Sequence, residues 1–146
     1  MTIRMLTAGS GGTDYSELRA QLWPGPADVH QLEIEEQLAD ADWRVFLAED
    51  AEGVITGFLE LRLREYAEGA ANSPVPFVEG WFVVPDHRRS GLGRALMEAA
   101  QSWAKSAGYS EIGSDTEASN TDSIQAHEHL GFQVVDRIVC LLKPLT

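Results

Sequence analysis

Apolar and polar residues alternate along Thr2-Ile3-Arg4-Met5-Leu6-Thr7, the period of a half-buried strand, and the run stops at Gly9-Ser10-Gly11-Gly12. The glycine cluster carries no Lys or Arg and reads as a flexible connector, not as a phosphate loop. Thr13 is placed to cap a helix whose apolar face is Tyr15, Leu18 and Leu22 and which must stop at Trp23-Pro24-Gly25-Pro26. A second, acidic helix is expected from about Asp28 to Ala41, with Leu32, Ile34 and Leu38 inward and Glu33, Glu36 and Asp40 on a solvated face. Residues 43–49 and 54–64 then form a hairpin across Asp50-Ala51-Glu52-Gly53, followed by a polar loop at 65–73 and a strand at 77–84.

From residue 92 to 107 the apolar positions Leu92, Ala95, Leu96, Ala99, Ala100 and Trp103 recur at helical spacing, and Gly108 ends the run. Residues 111–114 read as a short strand, 120–130 as a helix and 132–142 as the last strand. The sum is an α/β domain with a sheet of about six or seven strands and no internal repeats.

A chain of 146 residues fits a single domain, 1–146. Its start lacks the apolar run of a signal peptide and no stretch approaches a membrane span, so a soluble, cytoplasmic protein is expected. The 23 acids against 11 bases give a net charge of −12, which argues against nucleic acid or an anionic membrane as partner and suits a cationic substrate. The bases concentrate around one loop while acids occupy most other segments. Cys140, the only cysteine, lies in the apolar run Ile138-Val139-Cys140-Leu141-Leu142 and is expected to be packing, not a nucleophile. The four histidines show no metal-ligand spacing, and no metal is expected.

The chemistry concentrates in Val83-Val84-Pro85-Asp86-His87-Arg88-Arg89-Ser90-Gly91-Leu92-Gly93-Arg94, where an apolar strand runs through a turn into an Arg/Gly loop that opens a helix. Gly91 and Gly93 allow close backbone approach, and the unpaired N–H groups of the first helical turn point at the same place. Arg88, Arg89 and Arg94 add positive charge, so the loop reads as a pyrophosphate cradle. The spacing is neither a nucleotide-hydrolysing P-loop nor the three-glycine dinucleotide fingerprint.

Arg88-Arg89-Ser90-Gly91-Leu92-Gly93 resembles the acetyl-CoA signature Q/R-x-x-G-x-G/A of the GCN5-related N-acetyltransferases, and Leu130-Gly131-Phe132 resembles that family's usual close before its last long strand. Within the superfamily, Gln21-Leu22-Trp23-Pro24, Arg62-Leu63-Arg64-Glu65-Tyr66, Ser73-Pro74-Val75, Phe77-Val78-Glu79-Gly80, Ser114-Asp115-Thr116 and Ala126-His127 resemble, in that order, the short aminoglycoside 6′-N-acetyltransferases. The resemblance implies a GNAT fold: a mixed, mostly antiparallel sheet with helices on both faces and a central strand pair that splays apart after a bulge. It implies acetyl-CoA as cosubstrate, an aminoglycoside as cationic partner, and a homodimer paired through terminal strands.

By the same resemblance, pyrophosphate sits on Arg88, Arg89, Ser90, Gly91, Leu92, Gly93 and Arg94, and the pantetheine arm lies along Trp81-Phe82-Val83 as an added strand. A backbone N–H near Val83 would polarise the thioester oxygen, and Asn120 would contact the pantetheine amide besides capping a helix. His127 stands where many relatives carry a thiolate-protonating tyrosine, and it either donates that proton or lines the channel. Glu79, Asp115 and Asp136 are the expected substrate carboxylates, Trp23 and Tyr66 the ring-flanking aromatics, and Asp115 or Glu79 the group that takes the ammonium proton. Two other readings fit the same residues: acetylation of a polyamine or protein amine, and a non-catalytic CoA sensor.

Overall fold

The computed structural model describes residues 1–9 and 12–146, with the backbone alone at 12 and 13. The connector at Ser10-Gly11 and the Thr13 cap therefore lie outside the described residues. Strands β1 (Thr2–Met5), β2 (Trp43–Glu49), β3 (Ile55–Arg64), β4 (Val75–Val83) and β5 (Gly113–Ser114) make one sheet in sequential order. The first four run as an antiparallel meander and β5 joins β4 in parallel. Helices α1 (Gly12–Leu22) and α2 (Ala27–Ala39) fall between β1 and β2, α3 (Leu92–Ser106) between β4 and β5, and α4 (Thr121–His129) after β5. Among the described residues no helix is long and apolar enough to cross a membrane.

The period-2 alternation of β2 and β3 sends side chains to two different cores. Phe46, Ala48, Leu59 and Leu61 meet Leu92, Leu96, Met97 and Ala100 of α3 on one face. Val45, Leu47 and Phe58 meet Tyr15, Leu18 and Ile34 of α1 and α2 on the other. Phe58 anchors this second core, its ring centroid 5.4 Å from Tyr15, 6.0 Å from Trp23 and 5.9 Å from Phe82. Helix α3 closes at Gly108, whose φ of 95° turns the chain so that Gly108 and Tyr109 donate back to the carbonyls of Lys105 and Ala104.

Helix α2 departs from its apolar pattern. It buries His30, Ile34 and Gln37, while Leu32 and Leu38 are exposed. The buried face is polar because a carboxylate waits for it on the sheet. Glu60 of β3 is only 1% exposed, and its Oε1 accepts from the Tyr15 hydroxyl at 2.8 Å, from Gln37 Nε2 and from Arg19 Nη1. Arg19 in turn pairs with Glu33 and donates from Nε to His30 Nδ1 at 3.3 Å. His30 Nδ1 is thus an acceptor, so its Nε2 carries the proton and donates to the Trp23 carbonyl at 2.8 Å.

Among the described residues the sheet has five strands, not six or seven, because residues 132–142 form no ladder. After Phe132, which packs on the α3 core, residues 133–146 are exposed, including Ile138, Val139, Leu141 and Leu142, the last at 96%. Cys140 lies in this arm and is exposed, not buried as its apolar surroundings suggest. The pattern of an apolar run records its preference for a sheet but not the edge that will receive it, and within this chain the β5 ladder is two residue pairs long. Val135 rests on the 65–73 loop, 3.0 Å from the point where a Cβ on Gly69 would stand. The Glu111 carboxylate clips the same loop by accepting the Ala71 and Asn72 N–H groups at 3.0 Å, and these donors hold its carboxyl below the ordinary range.

Burial pushes the Glu60 carboxyl above its ordinary range, and the neighbouring Arg19 charge opposes that only in part. The folded chain therefore holds this proton more tightly than the unfolded one, so the contribution of Glu60 to stability is full below the ordinary carboxylate range and falls as pH rises through the raised value. Subtracting the stability profile of Glu60→Gln from that of the wild type, each from urea melts across the acidic range, isolates the effect. The difference should descend with rising pH; a flat or ascending difference contradicts the assignment.

Candidate active site

At the end of β4 the Val84 N–H donates to the Thr56 carbonyl at 3.0 Å, and a turn at Pro85–His87 leads into the Arg/Gly loop. Arg89 (φ 62°) and Gly91 (φ 85°) both take the left-handed conformation, and Gly91 stands at the N-cap of α3 with no side chain capping the helix. The first intrahelical bond runs from Ala95 N–H to the Gly91 carbonyl at 3.0 Å, which leaves the N–H groups of the first turn for a ligand. A Cβ on Gly91 would meet nothing within 4 Å, so the space over the loop is open.

Gly93 has a different reason to be glycine. A Cβ there would come 3.3 Å from Trp81 Cζ2, and the Trp81 indole donates to the Gly93 carbonyl at 3.0 Å. The loop is thus set on a β4 side chain. The arginines are not equivalent either. Arg88 donates from Nε to the Val83 carbonyl at 2.8 Å, with its guanidinium 5.4 Å from the Phe82 ring. Arg94 faces Glu98 at 3.6 Å with both side chains exposed, and Arg89 and Ser90 are exposed on the loop.

The splayed strand pair is present. Parallel pairing of β4 with β5 covers Phe77↔Gly113 and Val78↔Ser114 and goes no further. On the other edge of β4, Glu60 faces Gly80 while Leu61 faces Val78, so Glu79 is the extra residue of a bulge. Beyond it, Trp81, Phe82 and Val83 keep their ladder to β3 and have no strand partner on the opposite edge. Phe82 is buried in the α1/α2 core and Trp81 lies under α3, so this segment offers a ligand its backbone.

Bulging brings Glu79 and Gly80 toward the α1/α2 side, where Glu79 joins Arg19, Trp23, Glu33, Glu36, Gln37, Trp43 and Glu60 around a cavity of about 330 Å³. Glu79 is held bidentately by Arg64, with Nε 3.1 and 3.2 Å from the two carboxylate oxygens and the guanidinium carbon 3.7 Å from the Phe77 ring centroid. Trp23 lies against Gly80 and under the Arg19 guanidinium, 5.0 Å away.

The structure brings Trp23 and Glu79 into this cavity but not the other expected substrate residues. Asp115 is exposed immediately past the fork. Tyr66 is 71% exposed on the loop that Glu111 clips. Asp136 stands on the arm, its carboxylate accepting the next residue's N–H at 2.7 Å. Asn120 caps α4, accepting from Ser123 N–H at 3.1 Å. His127 spans the fork: its ring meets Trp81 of β4 edge-on at 5.1 Å, and its Nε2 lies 2.8 Å from Ser114 Oγ of β5. Sequence reasoning missed Glu60, Arg64 and Ser114. The argument that singled out Glu79, a charge in an apolar strand, applies equally to Glu60 in Ile55-Thr56-Gly57-Phe58-Leu59-Glu60-Leu61.

A cradle at a helix N-terminus, a bulged strand and a forked parallel pair define an acyl-CoA-binding N-acetyltransferase site. The sequence profile of the Acetyltransferase (GNAT) family matches residues 13–132, and the chain belongs to that family. It is 42% identical over 145 residues to the aminoglycoside N(6′)-acetyltransferase type 1 of Stenotrophomonas maltophilia, covering 99% of this chain and 94% of the relative. With the enzyme of the same name from Klebsiella aerogenes it shares 43% identity over 132 residues, 88% of this chain and 87% of the relative. Among solved structures it superposes with TM-score 0.91 on AAC(6′)-Iy in complex with the bisubstrate analogue CoA-S-monomethyl-acetylneamine, at 37% identity and covering 98% and 97% of the two chains. It superposes equally, at TM-score 0.91 and 34% identity, on the aminoglycoside 6′-N-acetyltransferase AAC(6′)-Ig of Acinetobacter haemolyticus, covering 100% of each chain.

The packing of Trp23 on Gly80 can be tested directly. In Gly80→Ala the new methyl lands on the indole, so stability should fall by about 1 to 3 kcal/mol and tryptophan emission should shift as the ring leaves its seat. An unchanged denaturation midpoint and spectrum would show that Trp23 is not seated there.

Proposed function

We propose that this chain transfers the acetyl group of acetyl-CoA to the 6′-amine of an aminoglycoside, by direct attack in a ternary complex. One observation carries the reading: β4 has an unpaired edge leading to an open anion cradle, and its bulge faces a cavity walled by tryptophans and carboxylates. An anionic thioester and a polycationic sugar are thereby led to the same few residues, 79–83. The relatives' names point the same way.

The residues fit acetyl-CoA. Pyrophosphate is received at the uncapped first turn of α3 by Ser90, Gly91, Leu92, Gly93 and Arg94, with Arg89 beside it. The pantetheine arm bonds the free edge of Trp81, Phe82 and Val83, and an N–H of that edge polarises the thioester oxygen. Arg88 buttresses the strand end at Val83 and lends its charge to the cradle from there. The Asn120 carbonyl is used by the cap, leaving its amide N–H groups to meet the arm.

On the acceptor side, Glu79 and Asp115 hold ammonium groups while Trp23 and Tyr66 flank the sugar rings. The bidentate Arg64 contact fixes the Glu79 carboxylate in place as an anchor. Cys140, exposed on the arm, takes no part, and no acetyl-enzyme forms.

Thiol release from acetyl-CoA should occur with an aminoglycoside bearing a 6′-amine and not with its 6′-hydroxyl counterpart, with spermidine and a lysine peptide as controls. Asp115→Asn should lower kcat/KM for the 6′-amine substrate by about tenfold or more, with the acetyl-CoA KM unchanged. Release with a control amine alone would overturn the aminoglycoside reading.

We also infer a homodimer in which the arm, residues 133–146, pairs with the second copy. Ile138, Val139, Leu141, Leu142 and Leu145 are between 61% and 96% exposed on one copy, an apolar run that a soluble chain covers. Asp136 is the one expected substrate residue on the arm, so its place in a site follows from the seat the arm takes. Light scattering should give twice the chain mass, and truncation after Arg137 should abolish the dimer. A monomeric full-length chain would overturn it.

A further inference from the structure

The imidazole of His127 is fixed at both nitrogens. Nδ1 lies 2.7 Å from the Ser123 carbonyl oxygen, which can only accept, so Nδ1 carries the hydrogen. In the neutral ring Nε2 is then a bare acceptor, and the group 2.8 Å from it is the Ser114 hydroxyl, which must donate. Trp81 at 5.1 Å and Phe132 at 5.2 Å hold the ring edge-on, and no charged side chain is among its ring or hydrogen-bond partners. Ser114 is the last residue of β5 to pair with β4. It therefore stands at the vertex of the fork, next in sequence to the exposed Asp115, with its hydroxyl on His127.

We propose that Ser114 is a catalytic residue of the acetyl transfer and His127 its positioned proton reservoir, the two forming a relay at the fork. The inference rests on the acetyltransferase reading of the site and adds where the protons go. An acceptor held by carboxylates arrives as an ammonium, which cannot attack. Its proton passes to Ser114 Oγ as the serine's own proton passes to His127 Nε2. The freed amine attacks the thioester carbonyl and the C–N bond forms. As the nitrogen loses its second proton to solvent, the C–S bond breaks. The departing thiolate takes a proton from Ser114, which is refilled from His127 Nε2, and the neutral imidazole is restored. One amine proton thus ends on the thiol and one in solvent. A histidine acting alone would have to point Nε2 at the sulfur, whereas here Nε2 points at Ser114.

The tests are Ser114→Ala, Ser114→Thr and His127→Gln, each with circular dichroism to establish folding. Ser114→Ala and His127→Gln should each lower kcat about a hundredfold, within the range of general acid–base catalysis, with the acetyl-CoA KM within twofold of wild type. The double variant should be no slower than the worse single one, since either change breaks the same relay. Ser114→Thr keeps the hydroxyl and should recover most of the rate. A near-normal kcat in Ser114→Ala, or additive losses in the double variant, would overturn the relay.

Nitrogen-15 spectra of the histidines give a reading that needs no acceptor. The wild type should show His127 protonated at Nδ1 and bare at Nε2, and the opposite tautomer would overturn the assignment. Thiol release with another amine but no aminoglycoside would refute the substrate assignment alone, and the same variants assayed on that amine still decide the relay.

Discussion

Glu60 places a carboxylate inside the layer between sheet and helices, where an unpaired charge would cost several kcal/mol. The surrounding architecture answers that demand. Tyr15 and Arg19 of α1 and Gln37 of α2 converge on one carboxylate oxygen, so both helices are tied to the same point of β3. Because Arg19 also reaches Glu33 and His30 and lies over Trp23, the tie fixes the wall of the cavity as well as the helices. Removing one partner of such a buried set generally costs about 3 to 5 kcal/mol, more than an average core methyl, so the polar clamp governs this layer. Burial first, and then the neighbouring Glu60 carboxylate, push the Tyr15 hydroxyl well above its ordinary value, which keeps it a neutral donor to Glu60.

The same residue marks where the sheet stops being regular. Glu60 faces Gly80, the ladder then skips Glu79, and past Val78 the parallel edge of β4 is bare. A bulge usually weakens a sheet, yet here it does two jobs in one step. It turns Glu79 toward the α1/α2 cavity while leaving the following backbone free on its far edge. Gly80 completes the arrangement, since only a residue without a side chain leaves room for Trp23. Cavity wall, strand fork and Arg/Gly loop are thus linked through a single irregularity in β4, carried to the loop by Trp81 and its bond to Gly93.

Most elements were legible from period and punctuation. The bounds of β2, the start of α3 and the forked strand pair needed only local pattern and the resemblance it supported. What escaped depended on partners distant in sequence. Leu32 and Leu38 looked like the inner face of α2 because hydrophobicity is the usual currency of burial, and only the position of Glu60 makes His30 and Gln37 the better face. The contacts of Arg88 with the Val83 carbonyl and the Phe82 ring likewise had no signal in the local pattern. Residues 132–142 have the composition of a strand, but a strand is a relation between two segments, and this chain alone does not supply the second.

A net charge of −12 poses a problem for any protein that must hold an anionic cosubstrate. At physiological ionic strength fields decay over about 8 Å, so what matters is the charge within a turn of helix of the ligand. Around the α3 N-terminus stand Arg88, Arg89 and Arg94 with the helix dipole, and around the cavity stand Glu33, Glu36 and Glu79, together with Glu60 and its partner Arg19. The carboxylates at the cavity suit the cationic substrate proposed for it. That attraction has a chemical cost, because each carboxylate that binds an ammonium also keeps it protonated. The bidentate pairing of Glu79 with Arg64 moderates the cost by spending part of the carboxylate's field on a fixed cation. In the proposed mechanism, holding the ammonium groups and releasing a proton at the fork are therefore assigned to different residues, which is what a polycationic nucleophile requires.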